Sequence, residues 1–379
     1  MARQAGKEAH SKHSPITYNK LLGWTVKVRV CDKQGCGGEI CLFHLELLSA
    51  MFKTSLLFCA ILVVCSGFDS GGFVKKFCKK NDKDVLVCES VQFTEDQLKK
   101  IQVQNFIISE EKNISFVNSF IGVLNENFLK CFPYCIDLTL KNVTFFFDNS
   151  ETHGHHPLLS LNINESTVRG NKNGSLLKNL QNLHHFGLIN SALEYRIFDK
   201  NFLGNNPSIK SLDINNGNIE KVEDDAFAGL GNVEYIDFAD FDVLSFKPNL
   251  FKNKDNLKFL KLRGNHLEKV PKYNLPKLEE LQLHVNKIEK ISKTDFETYK
   301  TLKKLDLGKN GIKTLDVDVF YDLEHLEELC LAGNEISQIT QENFKNLKHL
   351  KKVNLSENKI KETDLKDMKI EVNLFNQRD

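Results

Sequence analysis

Residues 326–336 read LEELCLAGNEI, and the same spacing returns along the chain. LKFLKLRGNHL begins at Leu257, LEELQLHVNKI at Leu278, LKKLDLGKNGI at Leu302 and LKKVNLSENKI at Leu350. The period is 24 residues, shortened once to 21 between Leu257 and Leu278. Self-similarity at such a period marks a solenoid, because one unit alone cannot bury its apolar face and must share a core with its neighbours. Earlier units keep the phase with weaker spelling: VEYIDFADFDV from Val233, IKSLDINNGNI from Ile209, LHHFGLINSAL from Leu183 and LLSLNINESTV from Leu158. CIDLTLKNVTF from Cys135 and EKNISFVNSFI from Glu111 complete about eleven units.

Places are numbered from the first residue of each unit. Apolar residues at places four and six describe a short strand with one buried face, so place five points the other way. Stacked units then form one parallel sheet with strands about 4.8 Å apart. Asn265, Asn286, Asn310, Asn334 and Asn358 hold place nine. A buried amide there serves backbone donors and acceptors as the chain turns away from the strand. The earlier units substitute Ser119, Val143, Ser166, Ser191, Gly217 and Phe241, which predicts a less regular first half. Phe227, Phe251, Phe296, Phe320 and Phe344 stand six residues before a unit start, and Phe128 and Phe202 stand seven before. They predict a second buried column on the convex side, which absorbs a composition of 28 Phe and one Trp. The shortened unit, 257–277, carries Pro271 and Pro276 in that region instead.

The pattern LxxLxLxxNxL with its following phenylalanine resembles the typical extracellular leucine-rich repeat of Toll-like receptor ectodomains and of secreted arthropod and vertebrate proteins. The resemblance covers most of residues 111–372 and implies an α/β solenoid. Its shape would be a curved horseshoe, with a parallel sheet on the concave face and irregular or short helical segments on the convex face. It further implies an inner sheet that binds proteins, glycans or lipids. The family's C-terminal capping cysteines are not found in the tail, residues 373–379, where Ile370, Val372 and Leu374 lead in with one last alternation. Such an end is closed by the short tail, by a partner that would make a homo- or heterodimer, or is a truncation.

MFKTSLLFCAILVVCSGFDS, from Met51, has the plan of a secretory signal peptide over residues 51–67, with an apolar run too short to span a membrane. The favoured reading starts translation at Met51 and treats residues 1–50 as a non-native extension; the rival keeps them as a leader before an internal signal anchor. Residues 68–110 would form an N-terminal cap. Secretion favours cysteine pairing. Cys78 and Cys88 resemble an abbreviated form of the family's cap disulfide. Cys131 and Cys135 pair locally, or Cys135 merely fills the first apolar place of its unit. Cys330, at place five, is left over, either a tolerated small residue or an intermolecular thiol.

On the concave face, places two and three alternate in sign: Glu279–Glu280, Lys303–Lys304, Glu327–Glu328, Lys351–Lys352. Adjacent strands make these cross-strand pairs rather than a docking strip. A net charge of +1 with no basic stripe argues against nucleic acid. The central units differ. Tyr235 and Phe259 share place three, Asp237, Lys261 and Gln282 share place five, and Arg263 and His284 share place seven. Aromatics beside arginine have the composition of an interface hot spot, against the plain alternative of scattered surface residues. N-x-S/T acceptors at Asn113, Asn142, Asn164, Asn173 and Asn354 would place sugar towards both ends and leave the centre bare. HGHH at 153–156 lacks companion ligands and reads as a loop rather than a metal site, with no cofactor implied. Without a nucleophile elbow, phosphate loop or H-E-x-x-H, an enzyme is not expected.

Overall fold

The computed structural model describes residues 76–94, 107–147, 156–170, 177, 180–241, 243, 246–361 and 370–377. Residues 1–67, Asn173 and His153 to His155 lie outside them. Leucines at places four and six go inside: Leu281, Leu305 and Leu329 are 0%, 2% and 2% exposed. Their place-five neighbours Gln282, Asp306 and Cys330 are half-buried on the opposite face. Repeated coil by coil, this alternation joins the buried residues into one continuous core.

The strands assemble as a 14-stranded sheet. In order these are β1 (Cys78–Lys80), β2 (Leu86–Glu89), β4 (Asn113–Val117), β6 (Asp137–Lys141), β8 (Ser160–Asn164), β10 (His185–Ile189) and β13 (Ser211–Asn215). There follow β15 (Tyr235–Ala239), β16 (Phe259–Lys261), β17 (Glu280–Gln282), β18 (Lys304–Asp306), β19 (Glu328–Cys330), β20 (Lys352–Asn354) and β21 (Glu371–Asn373). Only β1 runs antiparallel, and the Cys78–Cys88 disulfide ties it to β2. The register keeps equal places side by side, so Asp237, Lys261, Gln282, Asp306, Cys330 and Asn354 form one row.

The asparagine column behaves as its chemistry requires. Asn334 Nδ2 donates to Leu307 O at 3.0 Å and Leu331 O at 2.9 Å, while its Oδ1 accepts from Ile312 N at 3.1 Å. Each amide thus bonds its own coil and the coil before it. Gln377 repeats the pattern one coil further on, accepting from Ile360 N and donating to Leu355 O and Leu374 O.

The first half closes its turns by another route and is less regular in register, which shifts between Ile121 and Val123. Ser166 Oγ accepts from Val143 N at 3.0 Å and donates to Asn164 O at 2.7 Å, and Ser119 and Ser191 do likewise. Val143, with no polar side chain, holds the same place in the coil between, and after each of these turns the chain stays extended. It forms a second parallel sheet from β3 (Gln92–Phe93), β5 (Phe120–Leu124), β7 (Thr144–Phe147), β9 (Thr167–Gly170) and β11 (Ala192–Leu193). That sheet stops at Asn218, whose side chain accepts from Leu193 N at 2.7 Å and donates to Leu193 O at 2.9 Å. The side-chain amide imitates the next strand. A short pair, β12 (Ile197–Phe198) and β14 (Lys221–Val222), follows.

The convex side carries α1 (Glu126–Lys130), α2 (Lys200–Leu203) and two 3-10 turns, Lys293–Asp295 and Gln341–Phe344. Phe227 stacks on Phe251 with ring centroids 5.2 Å apart, and Phe296 meets Phe320 at 5.9 Å. In the shortened coil the column does not lapse, because Tyr273 packs edge-on to Phe251 at 4.8 Å. One backbone feature recurs in every coil. Ser90, Asn118, Asn142, Glu165, Asn190, Asn216, Asp240, Gly264, Val285, Lys309, Gly333, Glu357 and Asn376 all have positive φ. From Asn118 to Glu357 these are the place-eight residues.

Candidate recognition surface

The concave patch starts from β15 and β16. Tyr235 and Phe259 are in register on adjacent strands, half-buried, with ring centroids 6.2 Å apart. Lys261 reaches back until its Nζ stands 5.1 Å from the Tyr235 ring centre, a cation–π distance. Burial first, then the neighbouring carboxylates Asp213 and Asp237, raises the pKa of the Tyr235 phenol. Gln282 donates to Glu280 at 2.5 Å within β17.

Three members of the patch stand otherwise than the sequence suggested. Asp237 is only 6% exposed and is not a free surface acid. Arg263 does not reach over the aromatics, because its Nη1 bonds Asp240 Oδ2 at 2.5 Å. His284 Nδ1 lies 3.2 Å from Asp306 Oδ2, at ion-pair distance but out of hydrogen-bond alignment. Burial works to raise the Asp306 carboxyl, yet His284 and the Gly308 N–H outweigh it and hold the pKa below its ordinary value.

The charged ladder beyond the patch is consumed internally. Lys303 pairs with Glu279 at 2.9 Å, Lys304 with Glu328 at 2.9 Å and Lys351 with Glu327 at 2.5 Å. These are solvated cross-strand pairs of small individual energy.

Cys330 is half-buried beside Asp306. Burial first, and then the Asp306 charge, pushes its thiol up to about 11. No disulfide joins Cys131 to Cys135, a correction to the local-pair reading. Cys135 is 1% exposed and donates to Asp137 O at 3.3 Å, so it fills the first apolar place of its coil. His156, the described end of the histidine run, turns inward. Its Nε2 lies 3.2 Å from both Leu129 O and Phe132 O at the end of α1, and Leu158 N donates to its Nδ1. Among the described residues no His, Cys, Asp or Glu group of three is arranged to hold a metal, and no helix is long and apolar enough to cross a membrane.

Of the sugar acceptors, Asn113 and Asn354 lie on concave strands near opposite ends. Asn142 is exposed on its turn, with Nδ2 donating to Asn118 Oδ1 at 2.7 Å. Asn164 is half-buried with an unpartnered Oδ1.

Comparison with known proteins agrees with this architecture. Residues 207–267, 276–336 and 324–369 match the family model described as leucine rich repeat, and 255–296 match a model of two such copies. Human Toll-like receptor 3 is 28% identical over 169 residues, which cover 41% of this chain and 18% of the receptor. Among solved structures, a Leptospira interrogans leucine-rich repeat protein superposes with a TM-score of 0.57 at 20% identity, covering 78% of each chain. The mouse RP105/MD-1 complex gives 0.52 at 21% identity, over 66% of this chain and 43% of that one. The chain therefore spans less than half the length of either the receptor or the mouse protein, and at these structural identities the likeness is one of fold.

Proposed function

We propose that this chain, a leucine-rich repeat protein, is a secreted, non-enzymatic recognition molecule. It binds a protein, glycan or lipid-bearing ligand on its concave face, in innate defence or cell adhesion. The observation that carries the reading is the Tyr235–Phe259 pair, 6.2 Å between ring centres, half-open on adjacent strands at the middle of the sheet. Aromatic anchors are the residues on which interface energy concentrates. The flanking coils support the same choice. Towards the C-terminus the charges neutralise one another, and sugars on Asn113 and Asn354 would cover the two ends. A solved relative in complex with MD-1 and the similarity to a Toll-like receptor favour a binding role.

The test is a screen of the secreted chain against arrayed extracellular proteins, glycans and lipid vesicles. The retained ligand is then titrated against Tyr235→Ala/Phe259→Ala/Arg263→Ala. Loss of two anchors costs at least about 2 kcal/mol, a roughly thirtyfold fall in affinity, with the circular dichroism spectrum unchanged. A ligand that holds the triple variant as tightly as the parent removes the patch from the reading.

A further inference from the structure

Asp213 and Asp237 lie in register at place five on β13 and β15. Carboxylates on neighbouring strands repel, and burial raises the pKa of both above the ordinary value. Asp237 is 6% exposed and its Oδ1 has no hydrogen-bond partner. An anionic oxygen so enclosed calls for a compensating cation. The surrounding groups supply one only in part. Arg263 is the larger compensating charge for Asp237 but bonds Asp240 at 2.5 Å, and His185 Nδ1 stays 3.8 Å from Asp213 Oδ2. Lys261 feels both carboxylates, but its ammonium rests over the Tyr235 ring.

We propose that Asp213, Asp237 and the Tyr235–Phe259 wall form the recognition point for an arginine or lysine side chain of a protein ligand, which takes the place Lys261 now fills. The inference rests on the concave-face reading and names the chemistry of the ligand. Lys261 is an internal stand-in: a flexible ammonium over an aromatic face that acts on both acids from beyond ion-pair distance. An incoming guanidinium displaces it, lies flat on the rings and offers a planar fork of donors to the carboxylates, which an ammonium cannot match. The C-terminal coils offer no equivalent, since their place-three lysines and glutamates already pair across strands.

The test uses a fluorescein-labelled, acetylated tri-arginine peptide and its citrulline counterpart, which keeps the shape and loses the charge. Fluorescence anisotropy on the intact protein should show binding of the arginine peptide alone. Asp213→Asn/Asp237→Asn should weaken it by about tenfold or more, as expected when the acids facing a cation are neutralised. Lys261→Gln should tighten it several-fold, because the internal competitor is gone. Glu327→Gln, a flank acid paired with Lys351, should change nothing. The opposite signs of the first two variants separate a site effect from damaged folding. Failure of the arginine peptide to bind the parent overturns the proposal. So does equal affinity in a natively folded double-Asn variant, or a Lys261→Gln protein that binds no better. Because the readout is the charge of a defined probe, such a failure leaves the concave-face reading to its own triple-variant titration.

Discussion

At the scale of single residues, the turn at place eight is the clearest case of backbone dictating to side chain. Val285 sits there at φ +57° with 46% of its surface exposed. A β-branched residue in the left-handed region is strained by roughly 1–2 kcal/mol, whereas asparagine tolerates it. Val285→Asn should therefore raise stability by about 1 kcal/mol, seen as a higher urea midpoint with an unchanged slope; a lower midpoint would mean that the valine contacts outweigh the strain. This turn is hidden in the sequence because its occupants range over Asn, Asp, Glu, Lys, Gly, Ser and Val. The conformation is imposed by bonds to the next coil, such as Val285 N to Gly308 O at 2.9 Å. Asp237 and Arg263 were obscured for a related reason. Register could place them, but Arg263 is drawn to Asp240 at place eight and Asp237 faces Asp213 at place five, and the residue types at those two places vary from coil to coil. The leucines, the place-nine asparagines and the Tyr235–Phe259 adjacency were readable because each depends on period alone.

At the scale of elements, the change from serine to asparagine at place nine divides the molecule. Read as letters, Ser119, Ser166 and Ser191 look like decay of the repeat. Read as hydrogen-bond geometry, they do the amide's work over a shorter reach, in coils whose chain runs on into a second sheet. Asn218 then ends that sheet by satisfying both backbone groups of Leu193, which is itself buried. Asn218→Ala leaves an N–H and a carbonyl without partners, at a cost of about 1–3 kcal/mol. Asn218→Asp keeps the acceptor alone and should fall between the two. Thermal melts of the three proteins give the order; an alanine variant as stable as the parent would show that water replaces the amide without penalty.

At the scale of the whole molecule, the remaining question is assembly. The alternative to a recognition molecule is a matrix component or a dimer joined at the C-terminal end, where Phe375 is 71% exposed, with Cys330 as a covalent link. A thiol held near 11 by burial is almost wholly protonated at neutral pH, and the thiol form is a poor nucleophile. Purified protein should run as one monomer band with or without reductant, and Cys330 should alkylate slowly until the pH is raised. A dimer band that disappears on reduction and in Cys330→Ser would reinstate the covalent link. The asparagine column has a further consequence, for the order in which the molecule is made. From Asn286 onward each amide reaches back to a carbonyl and an N–H of the preceding coil, Asn265 reaches back to the carbonyl of Phe238 alone, and none reaches forward. During synthesis a newly emerged coil therefore waits, its polar groups open to water, until its successor leaves the ribosome and closes it. The polypeptide matures from front to back, one turn behind its own growing tip, and Gln377 performs that closure for the coil that begins at Leu350.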